Sequence, residues 1–129
     1  MATTHVELVT PQSNLFSGEA EMVTCRTEGG DIAFLADHMP YLGVLEPCVV
    51  RIIAEGVPEV RLAAHGGFVE VHGNRVTILA DVAERADDID LARAQRAREV
   101  AERALAAGTD ADAEAALRRA LARVEAAGG

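Results

Sequence analysis

The spacing of apolar residues in this 129-residue chain changes near residue 88. Before that point, apolar and polar residues alternate in short runs, as where Val6 and Leu8 interleave with His5 and Glu7. Alternation places one face of a strand in a core and the other in solvent. Turn-forming segments separate the runs: PQSN, SGE, EGG, EGVP, HG and HGN. Strands are therefore predicted at residues 4–9, 21–27, 31–36, 48–53, 59–64, 67–72 and 75–80.

This many short strands predict a two-layer β-sandwich or flattened barrel over residues 1–85. Residues 86–129 instead have the spacing of two amphipathic helices. We predict that the first helix has Asp88 as its N-cap and stops at Gly108, and that Thr109 or Asp110 opens the second. The predicted apolar stripes comprise Ile89, Ala94, Ala97, Val100, Ala101, Ala104 and Leu105, then Ala113, Ala116, Leu117, Ala120, Leu121 and Val124.

Alanine dominates both stripes, so the helices can lie close together but bury little area. Together, the strand and helix patterns predict an α+β fold: an N-terminal all-β sandwich followed by a C-terminal antiparallel α-helical hairpin. The hairpin is expected to be the weakly held part, and a fragment ending at Arg85 is expected to fold alone.

The composition excludes several classes of function. The net charge is −9, and only 3% of the residues are aromatic, with no Trp. Binding to nucleic acid is not expected, because it needs basic and aromatic side chains. No apolar stretch is long enough to span a bilayer, so we expect no direct membrane insertion. The start of the chain lacks a signal-peptide pattern, and two cysteines without CxxC spacing fit a reducing cytoplasm.

No motif of a metalloenzyme or of a nucleophilic enzyme occurs in the sequence. Glu70 and His72 share one face of a predicted strand, where exposed polar residues are ordinary. Cys25 and Cys48 lie in apolar strand patterns, where thiols are usually unreactive core residues. We therefore predict no catalytic residue and no metal site. The residues alone indicate a β-sandwich interaction or adaptor module with a regulatory helical hairpin.

Asp90 and Arg93 are polar residues inside the apolar stripe of the first predicted helix. One interpretation is an acid favoured by the helix dipole, with an i, i+3 ion pair worth roughly 0.2–0.5 kcal/mol. The other is a polar binding site in the groove beside the hairpin. Acids are common at helix starts, so their position alone favours the first interpretation.

Residues 6–52 and 65–94 resemble the epsilon subunits of F-type ATP synthases. The most specific segments are GGFVEV and RVTILADVAERADDID. The resemblance implies a non-catalytic rotor subunit of the central stalk, which joins the gamma subunit to the proton-driven c ring. It also implies a hairpin that extends toward the catalytic alpha and beta subunits and blocks ATP hydrolysis. The expected location is the cytoplasmic face of the bacterial cell membrane, reached through the complex, with no cofactor required.

The resemblance further implies ATP as a regulatory ligand that favours the folded hairpin. The family motif I-D-x-x-R-A is matched here by Ile89, Asp90, Arg93 and Ala94. The family also uses an upstream acid, matched by Glu84, and two arginines of the second helix, matched by Arg119 and Arg123. ATP-binding members have a further arginine where this chain has Val100, so we expect millimolar affinity.

The segment TEGGDIAFLADHMP resembles the part of the family that faces the c ring. Asp31 stands at the family's acidic position and His38 at its histidine. The family usually has glycine at the positions of Ala33 and Asp37, and proline at that of Ala36. We therefore expect c-ring contact through Asp31 and His38, in a loop of altered shape.

Overall fold

The computed structural model describes residues 2–108 and 110–128, which form eight strands followed by two helices. The α+β fold is confirmed: a β-sandwich precedes a hairpin of two helices. A 3-10 turn, Ala86–Asp88, joins the two parts. The strands are β1 (Thr4–Val9), β2 (Asn14–Ala20), β3 (Met22–Thr27), β4 (Gly30–Leu35), β5 (Tyr41–Val44), β6 (Cys48–Ile53), β7 (Val60–His72) and β8 (Arg75–Arg85). The helices are α1 (Leu91–Ala106) and α2 (Ala111–Ala126).

Two long strands, β7 and β8, connect the layers of the sandwich. The hydrogen-bonded order is β2-β1-β8-β7-β6-β3-β4, and β5 also pairs with β7. The first half of β7 pairs with β6, whereas its second half pairs with β5. The first half of β8 pairs in parallel with β1. One continuous sheet therefore folds over into two layers, and each long strand belongs to both.

Branched aliphatic side chains fill the space between the layers. Val6 and Leu8 are fully buried, as the alternation in β1 predicts. Cys25 and Cys48 also lie in the core, again as predicted. Phe34 is the largest fully buried side chain. The alternating pattern therefore identified the inward faces of β1 and β3 correctly.

The sequence pattern missed two strands and divided a third. Residues 14–20 form β2, so the segment SGE is not a turn, and residues 41–44 form β5. The segment HG also lies inside β7, which is continuous through it.

Gly66 and Gly67 have positive φ angles of 81° and 116°, and they let the long strand β7 bend. A Cβ on Gly67 would lie 1.9 Å from the carbonyl oxygen of Leu79. The two glycines therefore allow β7 to bend and do not mark its end.

The first helix starts two residues later than predicted. Asp90 is the N-cap of α1, and its carboxylate accepts a hydrogen bond of 3.1 Å from the backbone N–H of Arg93. The prediction of Asp88 was wrong because the intervening residues form the 3-10 turn. Asp110 caps α2, as one of the two predicted alternatives. The other alternative, Thr109, lies outside the described residues.

The apolar stripe predicted for α1 was too wide. Ala94 and Ala101 are buried against α2, but Ala97, Val100 and Ala104 are exposed. The reason is that α1 packs mainly on one neighbour, the helix α2, and not on the sheet.

The second helix has two buried flanks, because it lies between α1 and the sheet. Ala113 and Ala120 are buried as predicted. Leu121 was predicted to be buried but is 44% exposed. Ala122 and Ala126, which lie outside the predicted stripe, are buried against strands β6 and β7.

Candidate functional site

The face of the sheet that α2 covers has three residues at one register. Val49 of β6 pairs with Ala63 of β7, and Ala63 pairs with Glu84 of β8. Directly paired residues in a sheet point to the same face. This row therefore presents two apolar groups and one carboxylate to α2. We call the contact between α2 and this face the seam.

Small apolar side chains form the centre of the seam. Ala122 and Ala126 of α2 pack with Val49 and Ala63, and Ile89 packs against this cluster. Alanine side chains let a helix lie close to a sheet but remove little apolar area from water. The seam is a separate cluster from the sandwich core.

Three polar contacts surround the apolar centre of the seam. The Arg123 Nε lies 2.5 Å from the Glu84 Oε1, with both side chains about one third exposed. Arg61 of β7 donates a hydrogen bond of 2.6 Å to the backbone carbonyl of Glu125. Arg118 lies 3.9 Å from Glu46. Partly exposed ion pairs each stabilise a contact by about 0–1 kcal/mol, so these links position α2 more than they hold it.

A buried histidine lies beside the Arg123–Glu84 pair. The side chain of His65 is only 3% exposed, and its Nε2 is 3.4 Å from the Glu84 Oε1. Burial lowers the pKa of His65, and the nearby charges of Arg123 and Arg119 lower it further, against the opposing effect of Glu84. His65 was not among the residues predicted from the sequence to form a site. One feature of the sequence pointed to it: His65 follows Ala63 by two residues in β7, so both side chains lie on the same face of the sheet.

The residues predicted to bind ATP fall into two groups. Glu84 and Arg123 are bonded to each other, and Arg119 is close enough to act on the same histidine. Asp90 and Arg93 meet at the start of α1 through the N-cap hydrogen bond. Within the described residues, no ion pair or hydrogen bond joins the two groups. Ile89 packs into the seam, and Ala94 is buried between the helices.

The Asp90–Arg93 contact is a backbone cap rather than an ion pair. The carboxylate of Asp90 accepts the Arg93 N–H, while the Arg93 residue itself is exposed. The Arg93 guanidinium is therefore on the surface. Val100 is 61% exposed on the same helix, where an arginine side chain would also reach solvent.

The residues predicted to contact the c ring lie at and beyond strand β4. Asp31 is 2.7 Å from the Arg26 Nε, and both side chains are exposed. The ring of His38 packs edge-on against Phe34 at 5.0 Å, and its Nδ1 lies 2.7 Å from the Met39 carbonyl oxygen. Asp37 has a φ of 60°, a left-handed conformation that glycine adopts more easily.

An exposed apolar patch lies on the outer face of the other layer. Val44, Phe68 and Leu79 are paired neighbours on β5, β7 and β8, and Leu42 is close by. Phe68 is 51% exposed and Leu42 is 69% exposed. Contiguous exposed apolar side chains indicate a surface that binds a protein. This apolar patch was not predicted from the sequence, although the alternation in GFVEV puts Phe68 on the strand face opposite to that of the buried Val69 and Val71.

An open groove of about 780 Å³ lies between α2 and strands β3 and β4. Arginines and acids both line it, including Arg51, Arg118, Glu46 and Glu125. None of the residues predicted to bind ATP lines this groove. The arrangement of the seam, rather than this groove, therefore defines the candidate site.

The structure offers no enzyme chemistry at its cysteines. Burial raises the pKa of the Cys25 thiol to about 12, and it also raises the pKa of Cys48. A thiol with a raised pKa is a weak nucleophile at neutral pH. The described residues contain no group of three or more side chains that could hold a metal ion. The helices of the described residues are too short or too polar to cross a membrane.

Comparison with known proteins identifies two matching family models. Residues 3–86 match the beta-sandwich domain of the ATP synthase delta/epsilon chain, and residues 87–128 match its long alpha-helix domain. The ATP synthase epsilon chain of Streptomyces griseus is 45% identical over 125 residues, which cover 97% of this chain and 95% of that one. The epsilon chain of Brevibacillus brevis is 49% identical over 105 residues, or 81% of this chain and 80% of that one.

Solved structures with the same fold come from ATP synthases. A chain of the Euglena gracilis mitochondrial ATP synthase (OSCP/F1/c-ring) superimposes with a TM-score of 0.83 at 26% identity. This match covers 98% of this chain and 82% of that one. A chain of the Tetrahymena thermophila central stalk and c-ring structure matches in fold, with a TM-score of 0.55 and 20% identity over 67% of this chain and 69% of that one.

Proposed function

This chain belongs to the ATP synthase delta/epsilon chain family, as the epsilon subunit of an F-type enzyme, and we propose that its hairpin is a movable regulatory element. In this proposal the sandwich joins the gamma subunit to the c ring at the cytoplasmic face of the bacterial membrane. The hairpin either docks on the sandwich or extends toward the catalytic alpha and beta subunits and restrains ATP hydrolysis.

The observation that carries the proposal is the weakness of the seam. Only α2 packs substantially on the sheet, and it does so through the small side chains of Ala122 and Ala126. The surrounding ion pairs are partly exposed. Together these terms amount to a docking free energy on the order of a few kcal/mol. An equilibrium of that size can be shifted by one ligand that binds the docked state alone.

We propose ATP as that ligand, with the phosphates held by Arg93 and Arg119. Arginine forms paired hydrogen bonds with phosphate oxygens, and both of these residues are exposed. Arg123 is already paired with Glu84, so in this proposal it positions the Glu84 side chain and does not bind phosphate. Asp90 and Glu84 are the other polar residues of the proposed ATP site, and Ile89 and Ala94 supply its apolar surface. Because Val100 adds no charge, the affinity is expected to be in the millimolar range.

The partners follow from the two exposed surfaces of the sandwich. We propose that the apolar patch of Leu42, Val44, Phe68 and Leu79 binds the gamma subunit. Asp31 and His38, at and beyond strand β4, are proposed to contact the c ring. The likeness to a chain of the Euglena gracilis ATP synthase OSCP/F1/c-ring structure supports contacts with ATP synthase subunits in general.

Calorimetric titration of the full chain with ATP tests the proposed ligand. Saturable binding is expected in the wild type, and the double substitution Arg93→Ala with Arg119→Ala is expected to abolish it. Arg96→Ala is the matched control, because Arg96 is an exposed arginine of α1 outside the proposed site. Absence of saturation in the wild type, or equal binding by the double variant, would contradict the ATP proposal.

A further inference from the structure

His65 is a buried ionisable group at the seam between α2 and the sheet. Alternate residues of β7 face α2: Arg61 bonds to the Glu125 carbonyl, and Ala63 packs with Ala122. His65 is the next alternate residue of β7, so its side chain lies on the same face of the sheet. The histidine therefore lies on the face that α2 covers, where Arg119 and Arg123 of the helix act on it.

The surroundings of His65 favour the neutral form of its ring over the protonated form. In the described part of the chain, neither ring nitrogen makes a hydrogen bond of good geometry to a protein atom. The charged groups that act on the ring are Glu84 from β8, and Arg119 and Arg123 from α2. A proton on His65 would thus add a third positive charge beside a single carboxylate.

The movement of α2 would change most of these surroundings at once. Docking buries the ring and brings both arginines near it, and each of these effects lowers the pKa of His65. Glu84 belongs to β8, so it would stay beside the ring after α2 has left. A released hairpin therefore leaves a histidine that binds a proton more readily than the docked one does.

We propose that protonation of His65 releases α2 from the sheet, so that acidification favours the extended hairpin. This inference rests on the proposed movement of the hairpin. Well above the ordinary histidine pKa of about 6.5, the ring is mostly neutral in both states and docking changes little with pH. As pH falls below that value, the released state gains the proton first. The ratio of docked to released hairpin then falls by at most about tenfold per pH unit, the limit for one proton.

Alanine-methyl NMR of the full chain between pH 8 and pH 5 tests the proposal. The methyl groups of Ala122 and Ala126 lie in the seam, whereas those of Ala64 and Ala80 lie in the sandwich core. The seam signals are expected to shift toward the released state with acid, while the core signals stay unchanged. His65→Gln is expected to remove this dependence. His72→Gln, which changes an exposed histidine on the same strand, is expected to retain it.

Unchanged seam signals in the wild type, or an equal acid response in His65→Gln, would overturn the proposal. If His65→Gln does not fold, the ring titration of His65 decides instead. Its pKa must rise when Arg123→Ala is introduced, and no rise would contradict the proposal. Failure of the hairpin to move is distinguishable, because Arg61→Ala with Arg123→Ala should lower the docked-to-released ratio at pH 8. If that ratio is unchanged in the variant, the proposed function fails; if only acid has no effect, the histidine proposal fails alone.

Discussion

The Nε of Arg123 lies 2.5 Å from the Oε1 of Glu84, although the two residues are 39 positions apart in the sequence. One belongs to the last helix and the other to the last strand. Their contact exists only while the hairpin is folded back on the sandwich. It therefore reports on the docked state directly.

Removing either partner of this pair should weaken docking modestly. Both side chains are about one third exposed, so the pair stabilises docking by at most about 1 kcal/mol. Arg123→Ala is expected to lower the docked-to-released ratio about two- to fivefold, measured by the Ala122 methyl signal. The double substitution with Glu84→Gln should have little further effect, because both changes remove one interaction. Fully additive effects would show that the two residues act separately.

Restoring a positive charge at position 100 should tighten ATP binding. Val100 is exposed on α1, so Val100→Arg can be accommodated without repacking. A charge-assisted contact with phosphate is expected to lower the Kd about tenfold, which corresponds to about 1.4 kcal/mol. Ala97→Arg is the control, since it adds the same charge at another exposed position of α1. Equal gains in both variants would reveal a general charge effect.

A fragment ending at Arg85 should fold by itself. The sandwich core consists of strand residues, and the seam forms a separate cluster. We expect residues 1–85 to melt cooperatively with β-type circular dichroism, at a Tm lower than that of the full chain. A fragment without a cooperative transition would mean that the hairpin is part of the core.

Gly67→Ala should destabilise the sandwich strongly. Gly67 has a φ of 116°, and an added Cβ would lie 1.9 Å from the Leu79 carbonyl oxygen. The expected loss in the free energy of unfolding is about 3 kcal/mol or more, measured by urea denaturation. Gly56→Ala is the matched control, because Gly56 also has a positive φ but open space around it. Its cost should be near 1 kcal/mol.

Phe68→Ser should impair binding of the gamma subunit without unfolding the chain. Phe68 is half exposed at the centre of the apolar patch, so its loss costs little folding free energy. Large aromatic side chains often dominate the binding energy of protein interfaces. Co-purification with the gamma subunit is expected to fall at least tenfold. Val57→Ser, at an exposed apolar position outside the patch, should leave co-purification unchanged.

Much of the fold could be predicted from local spacing. Alternation identified the inward faces of β1 and β3, and the change of period located the hairpin within a few residues. The short strand β5 was missed because its four residues give too little alternation to recognise. Gly66 suggested a turn because glycine commonly ends strands, whereas here it permits a bend.

The candidate site could be predicted only in part. A family motif led to Glu84, Asp90, Arg93, Arg119 and Arg123, but the sequence could not indicate which of them meet. The structure joins Glu84 to Arg123 and assigns Asp90 to the cap of α1. His65 was missed because its burial depends on α2, which lies more than forty residues further along the chain.

The sequence by itself determined which parts of the chain form strands and which form helices, and it determined the inward faces of β1 and β3, because these properties depend on residues close to one another in the chain. It did not determine which neighbour covers each face. Leu121 is exposed and Ala122 is buried because the sheet lies on one flank of α2 and α1 on the other. Only the tertiary structure decided that arrangement, since it depends on contacts between residues far apart in the chain.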